Sequence, residues 1–191
     1  MSPLIDRAGM EEVFPADELL TSADELLTGI AHEPTRAFLR DVGLPDRGGW
    51  FESEPNLAEG EVQIGGEAWQ QVAEQYPDCP FDMSVWLTLG GIAMDSVMVD
   101  TVTGAVYCIP EGGRPHLLNS SVDALAYFLH ALEVEREAYD LEEQADFDVV
   151  DPEGAEQRLL DLMRAADPVA MENPASTWYT VLRYVRNLME D

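Results

Sequence analysis

The sequence holds no lysine, two cysteines and three histidines among 191 residues. All ten basic residues are arginines, so a phosphate-cradling Gly-Lys loop is excluded. The glycine pairs at 48–49, 65–66, 90–91 and 112–113 then read as turn punctuation. Cys79 and Cys108 are too few and too far apart for a disulfide framework, and no Cys/His spacing suggests zinc. No window approaches the length of a membrane span. The N-terminal run MSPLIDRAGMEEVF has acids early and no uninterrupted apolar core, unlike a secretory signal. A cytoplasmic protein with reduced thiols is the expectation. Gly-x-Ser-x-Gly and His-Glu-x-x-His are both missing. His130 lies beside an apolar helical stripe, His116 reads as the rim of a short strand, and His32 as a helix-capping residue. No catalytic, cofactor-binding or metal-ligating residue is assigned.

What the chain has in excess is negative charge. Thirty-eight acids against ten arginines leave a net charge of −28, while 46% of residues are hydrophobic and four are tryptophan. That hydrophobic content argues for a folded globule rather than an acidic tail. The length suits one sizeable core, hence a single domain over 1–191, with 1–30 as a peripheral extension. Such a field repels nucleic acid and anionic membranes and hastens encounter with basic partners, though it also serves plain solubility.

Residues 16–29 contain the tandem copy ADELLTS-ADELLTG, read as a short local helix or a turn pair. Pro34 opens a helix that Gly43 closes, with Phe38, Leu39 and Val42 inward. Residues 46–60 read as loop, 61–64 as a strand, and Trp69, Val72, Ala73 and Tyr76 as a short helix. Asp151-Pro152 starts a helix whose stripe is Ala155, Leu159, Leu162, Met163 and Ala166. The last helix carries Trp178, Val181, Leu182, Val185, Leu188 and Met189.

The stretch from Met83 to Leu132 is the most structured in pattern. Strands are expected over 84–90, 95–101, 104–110 and 115–118, with Val97, Val99, Val102, Val106 and Cys108 as their apolar members. Thr103-Gly104 turns one run onto the next. Ser120 with Asp123 resembles a capping box ahead of Val122, Leu125, Leu129 and Leu132. Trp86 reads as core and Asn119 as a backbone cap between strand and helix. The fold class is therefore α+β, a mainly antiparallel sheet flanked by helices.

Four pieces carry a family likeness: PTRAFLRDVGLP (34–45), WLTLGG (86–91), VDTVTGAVY (99–107) and LLNSSVDALAYFLHAL (117–132). In order and spacing the chain resembles the SUKH superfamily of bacterial immunity proteins, most closely its fourth subfamily. The resemblance implies an α+β domain that binds and neutralises a cognate toxin domain, often a nuclease or deaminase.

From Glu133 to Glu153 there are ten acids against Arg136 alone. A calcium loop would need a different register of ligands and glycine, so a solvated face or a docking surface is the reading. The expected partner surface comprises Glu133, Glu135, Glu137, Asp140, Glu142, Glu143, Asp146, Phe147, Asp148 and Asp151, joined by Asp46, Glu52 and Glu54. Phe147 and Val149 would supply apolar anchors within a charged rim. The expected partner is a basic protein toxin, without nucleic acid, membrane or cofactor. The rivals are an interaction scaffold of the same fold and a small hydrolase assembled only in three dimensions.

Overall fold

The computed structural model describes residues 3–46, 49–59, 63–140 and 150–187. Its centre is a five-stranded antiparallel sheet in the order β3-β4-β5-β6-β7, formed by Phe51–Ser53, Trp86–Ile92, Asp95–Asp100, Val106–Ile109 and His116–Asn119. Each strand follows its neighbour in sequence, with short connections from β4 to β7 and a long one, residues 54–85, between β3 and β4. A two-stranded ribbon pairs β1 (Leu19–Leu20) with β2 (Leu44–Pro45).

Both faces of the sheet are apolar because the central strands bury successive residues. Val97, Met98 and Val99 are all fully buried. Val97, Val99, Val106, Cys108 and Leu118 face the main core. That core contains Phe38 and Leu39 of α2 (Glu33–Asp41), and Leu125, Phe128 and Leu129 of α5 (Val122–Val134). It also takes in Leu159 and Met163 of α7 (Pro152–Ala166), and Trp178, Val181, Leu182 and Val185 of α8 (Thr177–Asn187). Each such Leu or Phe contributes about 1.5–3 kcal/mol by leaving water. On the other face Trp86, Met98 and Tyr107 meet Trp69, Val72 and Ala73 of α4 (Glu67–Gln75) and Phe81 from the following loop. Trp86 is core, as expected, but it belongs to this smaller cluster and stacks on Tyr107 at 4.7 Å.

The N-terminal segment, with α1 (Arg7–Met10), shares the main core through Ile5, Met10, Phe14, Leu19, Leu27 and Ile30. In the tandem copy, Ala16–Glu18 and Asp24–Leu27 are 3-10 turns, and only the first copy supplies a strand. The seven-residue equivalence is lost: Leu19 is buried in the first copy, but Leu27 rather than Leu26 in the second.

Several local expectations are corrected. Phe51–Ser53 is an edge strand, and Pro55–Glu59 forms a short helix, α3, where a loop was expected. Three residues carry too little periodicity to announce a strand; pairing with β4 creates it. Glu61 and Val62 lie outside the described residues, and Ile64 makes one isolated bridge to Leu87. Gly90–Gly91 is not a turn but part of β4, beside a bulge that leaves Leu89 without a partner residue on β5. Val102 is exposed, because the Asp100 carboxylate accepts from the backbone of Val102 and Thr103 and closes the turn there. The cap of α5 is Ser121, whose Oγ accepts from Ala124 N, whereas Asp123 accepts from Leu4 N. Pro34 opens α2 and Asp151 caps α7 through Gly154 N, both as expected. Leu188 and Met189 lie outside the described residues.

Candidate partner-docking cleft

The second face of the sheet is only half covered. Trp86, Met98 and Tyr107 lie beneath α4, but the row nearer the β4–β5 hairpin runs Glu52–Gly91–Ser96 across three strands. Gly91 has no side chain, so a trough opens between Glu52 and Ser96. Gly90 is required beside it: its φ is +154°, and an added Cβ would fall 2.1 Å from the Glu52 carbonyl oxygen. The resulting cleft has a volume of about 690 Å³ and is bordered by Asp46, Trp50, Glu52, Glu54, Met94 and Asp95, among others. No basic side chain is among the described residues that border it.

Two apolar groups frame the cleft. The hairpin turn places Ala93 at φ +49° and Met94 at φ +78°, the two left-handed positions at which Asn-Gly is the default. Met94 is 84% exposed. On the opposite wall Trp50 donates through Nε1 to Tyr139 Oη at 2.9 Å and meets Tyr184 edge-on at 5.9 Å. Tyr139 in turn donates to the Leu132 carbonyl, which fixes α6 (Arg136–Tyr139) against the end of α5. Arg136, at the next apolar position of the α5 stripe, coincides with the end of that helix.

The expected acidic surface divides into two electrostatic classes. Glu133 and Asp140 pair with Arg136, at 3.2 and 3.0 Å. Glu135 and Asp151 pair with Arg158, at 2.8 and 3.0 Å. The Arg158 guanidinium, together with Gly154 N, holds the Asp151 carboxyl below the usual range. Glu137 is exposed on α6. Glu142, Glu143, Asp146, Phe147, Asp148 and Val149 lie outside the described residues. In contrast, no arginine among the described residues pairs with Asp46, Glu52 or Glu54. Pairing cancels field at a distance, so the cleft acids project a stronger field per charge than those beside Arg136 and Arg158. Trp50 bridges the groups through Tyr139.

A second cluster has the composition of an active site. Thr177 Oγ1 lies 3.2 Å from Cys108 Sγ and donates to Asp95 Oδ2 at 3.1 Å, and Thr177 N donates to His116 Nε2 at 3.2 Å. His116 is therefore buried rather than a rim residue, because it receives the first N–H of α8. Cys108 is fully buried, and burial pushes its thiol up to about 12. It is a thiol at neutral pH and has no access to a substrate. The cluster ties α8 to the sheet. His32 Nδ1 contacts Thr35 Oγ1 rather than a backbone N–H, and the His130 ring stacks parallel to Tyr127. No group of three His, Cys, Asp or Glu able to hold a metal occurs among the described residues.

Asn119 does more than cap backbone. It is fully buried, accepts from Trp178 Nε1 and donates to Asp167 Oδ2, both at 3.2 Å. It thereby clips α8 and the end of α7 to the last strand. The family-like pieces thus fall on the sheet and on α2 and α5, which order the scaffold. The sequence model of the SUKH-4 immunity protein family matches residues 5–184.

The chain belongs to the SUKH-4 immunity protein family. No curated protein and no solved structure matches it. The family match begins within the N-terminal segment, whose Ile5 and Met10 enter the main core. No helix among the described residues is long and apolar enough to cross a membrane. Sequence reading had named Asp46, Glu52 and Glu54 but missed Trp50, Gly91, Met94 and Asp95 as their neighbours. A signal existed in Ala93-Met94, a hairpin turn lacking the Gly or Asn that two left-handed positions call for.

Proposed function

We propose that this protein neutralises a basic, nucleic-acid-targeting toxin domain in the cytoplasm by stoichiometric occlusion, without turnover. Membership of an immunity family over residues 5–184 carries the reading. The charge of −28 supports a basic partner, since complementary fields accelerate association and disfavour wrong partners. The docking face is the acidic surface running from Glu133 to Asp151 and continuing past Trp50 to Asp46, Glu52 and Glu54. A nuclease or deaminase fits this surface, because an enzyme that grips phosphate backbone presents the arginines and lysines that acids would cover.

The test is titration of a cognate toxin domain with this protein. Activity should vanish at one equivalent, and association should slow as salt rises while dissociation changes little. Inactivation of several toxin molecules by each copy would refute occlusion and favour the hydrolase reading. Failure of the toxin to bind at all would favour a scaffold serving some other client.

A further inference from the structure

Within that partner-binding reading, we infer that the trough over Gly91 receives an extended basic segment of the partner. An arginine lies against Glu52 and Glu54, and Met94 packs on a neighbouring apolar residue. Three independent features point to this occupant. The first is shape. Gly91 leaves sheet backbone uncovered along the Glu52–Ser96 row, a floor on which the flat aliphatic stem of an arginine can rest. The second is charge. Glu52, Glu54 and Asp46 have no arginine partner among the described residues, and a guanidinium offers the forked donors that carboxylates accept best.

The third is strain. Ala93 and Met94 both occupy the left-handed region, where a residue with a Cβ is disfavoured, yet Met94 buries almost nothing in return. Folding alone would select Asn-Gly at these positions. Retaining an unbranched, adaptable apolar side chain at the mouth of an acidic cleft fits a contact made only in the complex. A second copy of this chain is a poor occupant, since it would bring another −28 of charge to the same acids.

The probe is a capped tetrapeptide of alternating arginine and leucine, titrated into the full-length protein while backbone amide shifts are followed by NMR. Saturable shifts are expected at Glu52, Gly91, Met94 and Ser96, and none with a glutamate-for-arginine peptide. Glu52→Gln combined with Glu54→Gln should weaken binding about tenfold. Ala93→Asn with Met94→Gly should raise the melting temperature by a few degrees while weakening the same binding. Shifts spread evenly over every acidic face would overturn the inference, as would a turn variant that binds unchanged or is no more stable. Toxin titration separates this claim from the broader one. Neutralisation by the turn variant at unchanged affinity removes the cleft and leaves immunity standing, whereas failure of the wild type removes immunity alone.

Discussion

Replacing Asn119 by alanine should cost about 3 kcal/mol, and the structure says where the loss arises. Asn119 donates to Asp167, a carboxylate 3% exposed whose Oδ2 otherwise accepts, among the described residues, from Ser120 N at 2.8 Å. A hydrogen bond to a buried carboxylate is worth roughly 1.5–3 kcal/mol. The amide also fills space at a fully buried position, and the vacated volume adds about 1 kcal/mol. Trp178 loses little, because its Nε1 still donates to the Leu118 carbonyl at 3.1 Å. In urea the midpoint should fall by about 1–2 M with the slope unchanged, and the melting temperature should drop by roughly 6–12 °C. Asn119→Asp should be worse at neutral pH, since it sets a second carboxylate against Asp167. The introduced carboxyl would titrate above its unfolded value of about 4. Stability would therefore be best below that value and lost as pH rises through the folded one. A loss under 1 kcal/mol for Asn119→Ala, or an Asn119→Asp variant indifferent to acid, would refute the view that this amide joins α7 and α8 to the sheet.

Gly90→Ala should destabilise by at least about 2 kcal/mol in chemical denaturation, because strained backbone and the 2.1 Å approach to the Glu52 carbonyl act together. Alkylation of the native protein at pH 8 should label Cys79 alone, with Cys108 reacting only once denaturant is added, as read by intact mass. Burial lowers the folded titration of both His116 and His130 against their ordinary value near 6.5. Their contribution to stability is complete above that value and is lost as pH falls through the folded one. Denaturation midpoints at pH 7.5 and 5.5 should therefore differ, and His116→Gln should reduce the difference.

How much was legible in the residues depended on the range of the physics involved. The four strands between residues 84 and 119 were readable because alternation and turn chemistry act over a few residues. The helices opened by Pro34 and Asp151-Pro152 were readable for the same reason, as were the inward stripes of α5 and α8. Charge also needed no coordinates, since its sum is independent of fold, and the family likeness followed the order of local pieces. Edge strand β3 was hidden, because three residues become a strand only by lying against β4. His116 and Asn119 were misjudged because their partners, Thr177, Trp178 and Asp167, stand about fifty or sixty residues away in sequence. The acidic stretch after Glu133 was visible as composition, but which of its charges face arginines depended on where Arg136 and Arg158 came to rest. The cleft depended wholly on register. Glu52, Gly91 and Ser96 meet only when three strands align, and a residue without a side chain shapes a surface only through what stands on either side of it.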